Sequence, residues 1–200
     1  MNAKIQSLIN FFESNEGAAR FSEMLKAGFH PDSLAYLINA GKAEKIGRGL
    51  YMLKDSIVSS HSDLVRASLQ SSRGVVCLLS ALAFYEATNE IPRYVDMAIP
   101  AKTHANRIEY PPVKFYRFDL RAWEAGITEQ EIDGHKIRVY SLAKTIADCF
   151  KFRNRIGADV ARNALKVAIS EKNIKPKEIM AYAKICRVDK IIKPVVETMI

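Results

Sequence analysis

The chain lacks most of the features that mark catalytic, secreted and membrane proteins. Its longest apolar run, Val75 to Tyr85, is broken by Ser80 and falls short of the roughly 20 residues a membrane-spanning helix needs. The first residues, M-N-A-K-I-Q-S-L-I-N, lack the basic and apolar blocks of a secretory leader. Cys77, Cys149 and Cys186 are odd in number and far apart, which predicts buried thiols in a reducing cytoplasm rather than a disulfide framework. His30, His61, His104 and His135 form neither H-x-H nor H-E-x-x-H, and no C-x-x-C occurs, so no zinc pattern is present. Neither G-x-x-x-x-G-K-[ST] nor G-x-G-x-x-G appears, which removes those phosphate cradles. No Asp or Glu is followed two positions later by Lys, an element common in nucleases that hold Mg²⁺ beside a lysine. Ser80, in L-L-S-A-L, lacks the glycines of a nucleophile elbow. The expectation is a protein without catalysis, cofactor, metal or membrane.

Glycine and proline are also sparse, 9 and 7 in 200 residues, so each one present marks a boundary. They are informative between Ala18 and Leu53. Ser22 to Ala27 reads as a short helix capped by Ser22 and stopped at Gly28. Pro31 pre-sets the first turn of a second helix, which ends at Gly41. Leu34, Leu37 and Ile38 form its apolar side, at spacings of three and four. His30 precedes that helix as a cap or phosphate contact. Two short runs, Ala43 to Ile46 and Leu50 to Leu53, flank Gly47-Arg48-Gly49 and read as a hairpin. Helix, turn, helix, hairpin is the layout of a winged helix-turn-helix, whose second helix enters the DNA major groove. With Leu34, Leu37 and Ile38 inward, Asp32, Ser33, Tyr36 and Asn39 point outward. Ser, Tyr and Asn reach phosphates or base edges. Lys42 and Lys45 flank the hairpin and Arg48 tops it, where a long cation on a mobile tip can enter a minor groove or hold phosphate.

The remaining chain predicts a larger α+β domain. Asn2 caps a first helix with Ile5, Leu8, Ile9 and Phe12 inward. Lys54 to Ser60 reads as a linker between an N-terminal domain of residues 1–55 and a C-terminal domain of residues 56–200. His61 to Ser72 reads helical with Leu64, Val65 and Leu69 inward, and a helix starts at about Ser80. His61 reads as a structural hydrogen-bonding group. Strands are expected over Tyr94 to Ile99 and Val113 to Phe118. Ile127 to Ile132 and His135 to Tyr140 flank Asp133-Gly134, a favoured two-residue hairpin turn. From Ser141 the period turns helical through four helices, giving a small antiparallel sheet followed by C-terminal helices. Asp148, four residues after Lys144, reads as a surface ion pair.

Net charge is +8, which suits a polyanionic partner. Residues 1–55 hold seven Lys/Arg against six Asp/Glu, whereas residues 134–200 hold fifteen against six. The basic excess therefore lies far from the hairpin in sequence. Lys151, Arg153 and Arg155 cluster at a helix end and are candidates for an auxiliary DNA or partner contact.

The order of motifs resembles the AbiEi-type antitoxins of type IV toxin–antitoxin systems over almost the whole chain. The resemblance rests on A-K-I-Q-S-L, on L-K-A-G-F-H-P-D-S-L-A-Y-L-I-N-A-G-K-A-E-K-I-G-R-G-L-Y-M-L, and on L-L-S-A-L-A-F-Y-E-A-T at 78–88. It continues in Y-V-D-M-A-I-P at 94–100 and V-Y-S-L-A-K-T-I-A-D-C at 139–149. It implies a winged helix that represses the module's own operon at inverted repeats of double-stranded DNA. It also implies a C-terminal domain that antagonises a co-encoded nucleotidyltransferase-like toxin, directly or indirectly. Ser33, Tyr36, Asn39, Lys42, Lys45 and Arg48 occupy the matching recognition-helix and wing positions. Two alternatives stay open: a stand-alone winged-helix regulator without a toxin, and an enzyme acting on RNA or nucleotides through the basic C-terminal half.

Overall fold

Residues 3–56 and 59–199 are described by the computed structural model. Asn2, and Ile57 and Val58 of the expected linker, lie outside the described residues. The first part runs α1 (Ala3–Glu13), β1 (Ala18–Arg20), α2 (Phe21–Lys26), α3 (Pro31–Asn39), β2 (Ala43–Gly47) and β3 (Leu50–Leu53). Ile5, Leu8 and Phe12 of α1 are buried with Met24, Leu34 and Leu37 from the next two helices. The hairpin forms as the glycines imply, with β3 in the middle of a three-stranded sheet ordered β1-β3-β2. β1 is not foreshadowed by periodicity, because three residues carry none. Its pairing of Ala18 with Met52 and Arg20 with Leu50 creates it. Ser22 is not the cap of α2. The helix starts at Phe21, and the Glu23 carboxylate accepts a hydrogen bond from the Arg20 N–H at 2.7 Å.

The second part runs α4 (Ser62–Gln70), β4 (Val75–Val76), α5 (Leu78–Phe84), β5 (Val95–Pro100), β6 (Val113–Phe118), α6 (Leu120–Glu124), β7 (Ile127–Ile132) and β8 (His135–Tyr140). Five helices follow: α7 (Leu142–Lys151), α8 (Arg153–Ile156), α9 (Ala158–Ser170), α10 (Pro176–Cys186) and α11 (Asp189–Glu197). The sheet is ordered β6-β5-β4-β8-β7. It is mixed rather than antiparallel, since β5–β6 and β4–β8 pair parallel. The segment 101–112 carries the chain back before β6 begins, so β6 runs alongside β5 in the same direction. The β7–β8 hairpin matches its sequence signal, with positive φ at both Asp133 and Gly134 as its turn type requires.

Helices cover both faces of this sheet. Successive strand residues point to opposite faces. Val76, Met97 and Val139 accordingly pack with Leu64 and Val65 of α4. Their neighbours Val75, Ala98 and Tyr140 pack with Leu142, Ile146 and the later helices. The interior strand β5 is buried along its full length, the expected state of a strand covered on both sides.

Helix α7 is the centre of the helical layer. Every residue from Leu142 to Phe150 is buried, because α5, α9 and α10 pack around it. Lys144 and Asp148 are therefore not a surface pair. Both side chains are fully buried, with Nζ 2.6 Å from Oδ2. The ammonium also lies 4.0 Å from the centroid of the Tyr140 ring, a cation–π position. The Cys186 thiol donates to the other carboxylate oxygen at 3.2 Å. Burial raises the Asp148 pKa, and the adjacent Lys144 opposes that rise. Removing one member of such a pair leaves an uncompensated charge in the core, whereas replacing both with apolar groups does not. Asp148→Ala should lower unfolding free energy by about 3–5 kcal/mol. The double variant Lys144→Met/Asp148→Leu should recover most of that loss in denaturant titrations.

Candidate nucleic-acid interface

Helix α3 begins where His30 and Pro31 place it. The His30 Nδ1 accepts a hydrogen bond from the Asp32 N–H at 3.3 Å, so His30 is the cap of this helix. Pro31 occupies a first-turn position that needs no N–H. Asp32 sits in the first turn, where a carboxylate complements the helix dipole. At 100° per residue, Leu34 and Leu37 define one buried direction, and both are buried against α1 and the sheet. Asn39 and Asp32 project from the opposite side, with Ala35 and Tyr36 flanking them; all four are exposed. Tyr36 is 55% exposed.

Two positions depart from the sequence expectation. Ile38 is 38% exposed rather than buried, and Ser33 is half-buried. Each lies about 70° from the centre of the buried face, on opposite flanks. Only the two leucines of α3 are buried. The outward surface thus combines an amide, a phenol and an aliphatic group, a mixture able to meet base edges and thymine methyls.

The hairpin stands beside this helix. Ala43, Ile46, Leu50 and Met52 are buried, while Lys42, Lys45 and Arg48 are exposed. Ile46 is the extra residue of a bulge, since Lys45 pairs with Tyr51 and Gly47 with Leu50. Gly49 turns the tip with φ +63°. The tip is anchored to neighbouring elements. The Phe21 N–H donates to the Gly49 carbonyl at 2.8 Å, and Ile46 and Leu50 pack near Leu69 of α4. Glu44 faces the same helix and pairs with Arg66 at 2.6 Å, both side chains being partly buried.

Lys151 and Arg153 are half-buried and Arg155 is exposed. Lys151 lies 5.7 Å from the Phe118 ring centroid and Arg155 lies 5.8 Å from that of Phe152. Arg153 donates to the Phe150 carbonyl at 2.9 Å, closing the end of α7. They belong to the α7–α8 corner, whereas Ser33, Tyr36, Asn39, Lys42, Lys45 and Arg48 share the α3–hairpin unit.

The chemistry-bearing groups of the second part are largely enclosed. Asp96 is 5% exposed, and burial pushes its carboxyl up to about 6 against the opposing Lys114 charge and a Tyr116 hydrogen bond. The three cysteines are buried thiols, as their spacing implied. The His61 ring packs against Phe84, with centroids 5.2 Å apart, and its side chain makes no capping hydrogen bond. Among the described residues no group of three His, Cys, Asp or Glu side chains is arranged to hold a metal ion. Among the same residues no helix is long and apolar enough to cross a membrane.

No protein-family model matches the chain, and no curated protein matches it.

The α3 surface depends on the seat beneath it. Leu37→Ala should destabilise the protein by about 2–5 kcal/mol, the range for truncating a buried leucine. Ile38→Ala should cost under 1 kcal/mol, roughly, because its side chain is already part-solvated. Thermal unfolding of the two variants distinguishes the helix faces, and equal costs would contradict the placement.

Proposed function

We propose that the chain is a sequence-specific DNA-binding regulator that uses α3 and the β2–β3 hairpin as a winged helix-turn-helix. The observation that carries this reading is the division of α3. One side is fixed by Leu34 and Leu37, and the other presents Asn39, Tyr36, Ala35 and Asp32 to solvent next to a hairpin tipped by Arg48. Asn39 is able to pair in two-pronged fashion with adenine, and Tyr36, Ala35 and Ile38 offer apolar contact to thymine methyls. Lys42, Lys45 and Arg48 supply phosphate contacts, which set register without reading sequence. The net charge of +8 favours the same polyanionic partner.

The motif order that resembles AbiEi-type antitoxins supports a more particular assignment. In it, the N-terminal part represses the operon that encodes the chain, by binding inverted repeats as double-stranded DNA. The larger C-terminal part antagonises a co-encoded nucleotidyltransferase-like toxin. The division falls near residues 55 and 56, between the three-stranded and five-stranded sheets. In this reading the chain is not an enzyme and acts in the cytoplasm.

Base reading and phosphate holding separate experimentally. Tyr36→Ala and Asn39→Ala should each narrow the affinity gap between DNA from upstream of the chain's own coding sequence and random DNA. The expected loss is about 1–3 kcal/mol of discrimination per lost base contact. Lys45→Ala should weaken both duplexes about equally. Discrimination that survives both α3 substitutions and disappears with Lys45→Ala would falsify these roles.

A further inference from the structure

A basic cleft joins the hairpin to the second part of the chain, and no pattern in the sequence marks it. Its volume is about 380 Å³, and its charged lining consists of Arg20, Arg48 and Arg107. The three arginines come from β1, the hairpin tip and the segment 101–112, and no carboxylate lines the cleft with them. All three are exposed. Arg48 and Arg107 also line the adjoining cleft, together with Glu109 and with Glu44, whose carboxylate is paired with Arg66.

The cleft is built rather than incidental. The Asn106 amide donates to the Gln70 carbonyl at 2.6 Å, and the Gln70 amide donates to the Tyr110 carbonyl at 2.9 Å. The loop is therefore fastened to the end of α4 on both sides of Arg107. The hairpin reaches the same glutamine, since a Cβ at position 47 would stand 2.9 Å from Gln70 Oε1. The tip therefore lies close to Gln70, and Arg48 and Arg107 line the same cleft. Arg20 is held beside them by its pairing with Leu50. Three exposed guanidinium groups around one cleft favour an anion there, and guanidinium forks match phosphate oxygens in pairs.

We infer that Arg20, Arg48 and Arg107 form a clamp for the phosphate backbone of duplex DNA, flanking the base pairs met by α3. The second part of the chain thereby contributes Arg107 to DNA binding and holds the hairpin tip in position. This inference rests on the DNA-binding reading proposed above. It assigns the supplementary contact to the loop 101–112 instead of the α7–α8 corner.

Salt dependence of full-length protein binding to a random-sequence DNA duplex tests the clamp. Each phosphate contact contributes about −0.9 to the slope of log affinity against log salt. The triple variant Arg20→Ala/Arg48→Ala/Arg107→Ala should flatten the slope by about two to three, and Arg107→Ala alone by about one. Arg162→Ala, on the exposed face of α9, should leave it unchanged. Circular dichroism and thermal midpoints confirm that these surface variants remain folded. Wild-type protein that binds duplex with a slope unaffected by Arg107→Ala overturns the clamp alone, as does an equal effect from Arg162→Ala. Wild-type protein that binds no duplex at any salt concentration overturns the clamp and the DNA-binding reading together.

Discussion

The hairpin lies against α4, with Gly47 packed on the Gln70 side chain. Any Cβ there would meet Gln70 at less than the normal contact distance, and Gln70 is itself held by the Tyr110 and Arg66 carbonyls. The approach aligns Ile46 and Leu50 with Leu69 and brings Glu44 to Arg66. These contacts together couple the three-stranded sheet to the helix that covers the five-stranded sheet. A hairpin tip in solvent would spread Arg48 over many positions. Here its backbone is tied at Gly49 and flanked at Gly47, which lowers the ordering cost of any ligand it meets.

The platform behind this contact is stiff for reasons of layering. Helix α4 closes one face of the mixed sheet and α7 with its neighbours closes the other. Full enclosure of α7 obliges Lys144 and Asp148 to satisfy each other, with Tyr140 and Cys186 completing the pair. Such a pair adds little net stability compared with apolar residues, but breaking it is costly. It ties α7 to α10 and to the end of β8. The loop bearing Arg107 connects the edge strand β6 to β5 in this framework, so its anchor at Gln70 is referred to a rigid sheet.

Local signals foretold elements wherever local chemistry decides them. Pro31, Gly41 and the Leu34/Leu37 spacing located α3, and the two glycines around Arg48 located the hairpin. Asp133-Gly134 located the β7–β8 turn to the residue. What escaped depends on tertiary placement. Strand β1 exists only through its partner β3, and parallel pairing of β5 with β6 leaves no trace in a run of six residues. A lysine and an aspartate four apart look the same on an exposed helix and an enclosed one. Ile38 is apolar, yet it lies at the edge of the buried side of α3 and is 38% exposed. Among the candidate contacts, the exposed face of α3 and Arg48 were legible. Arg20 and Arg107 were not, because they lie far apart in sequence and come to one cleft only through β1–β3 pairing and the anchoring of the loop 101–112 at Gln70.

Hydrogen–deuterium exchange of the full-length protein, with and without a duplex from upstream of its own coding sequence, tests the central claim most directly. The account predicts slowed exchange in α3, at the hairpin tip around residues 47–49 and in the loop around residues 105–109. It predicts no comparable change in α9 to α11. Protection confined to the C-terminal helices, with α3 and the hairpin unaffected by a bound duplex, would contradict it.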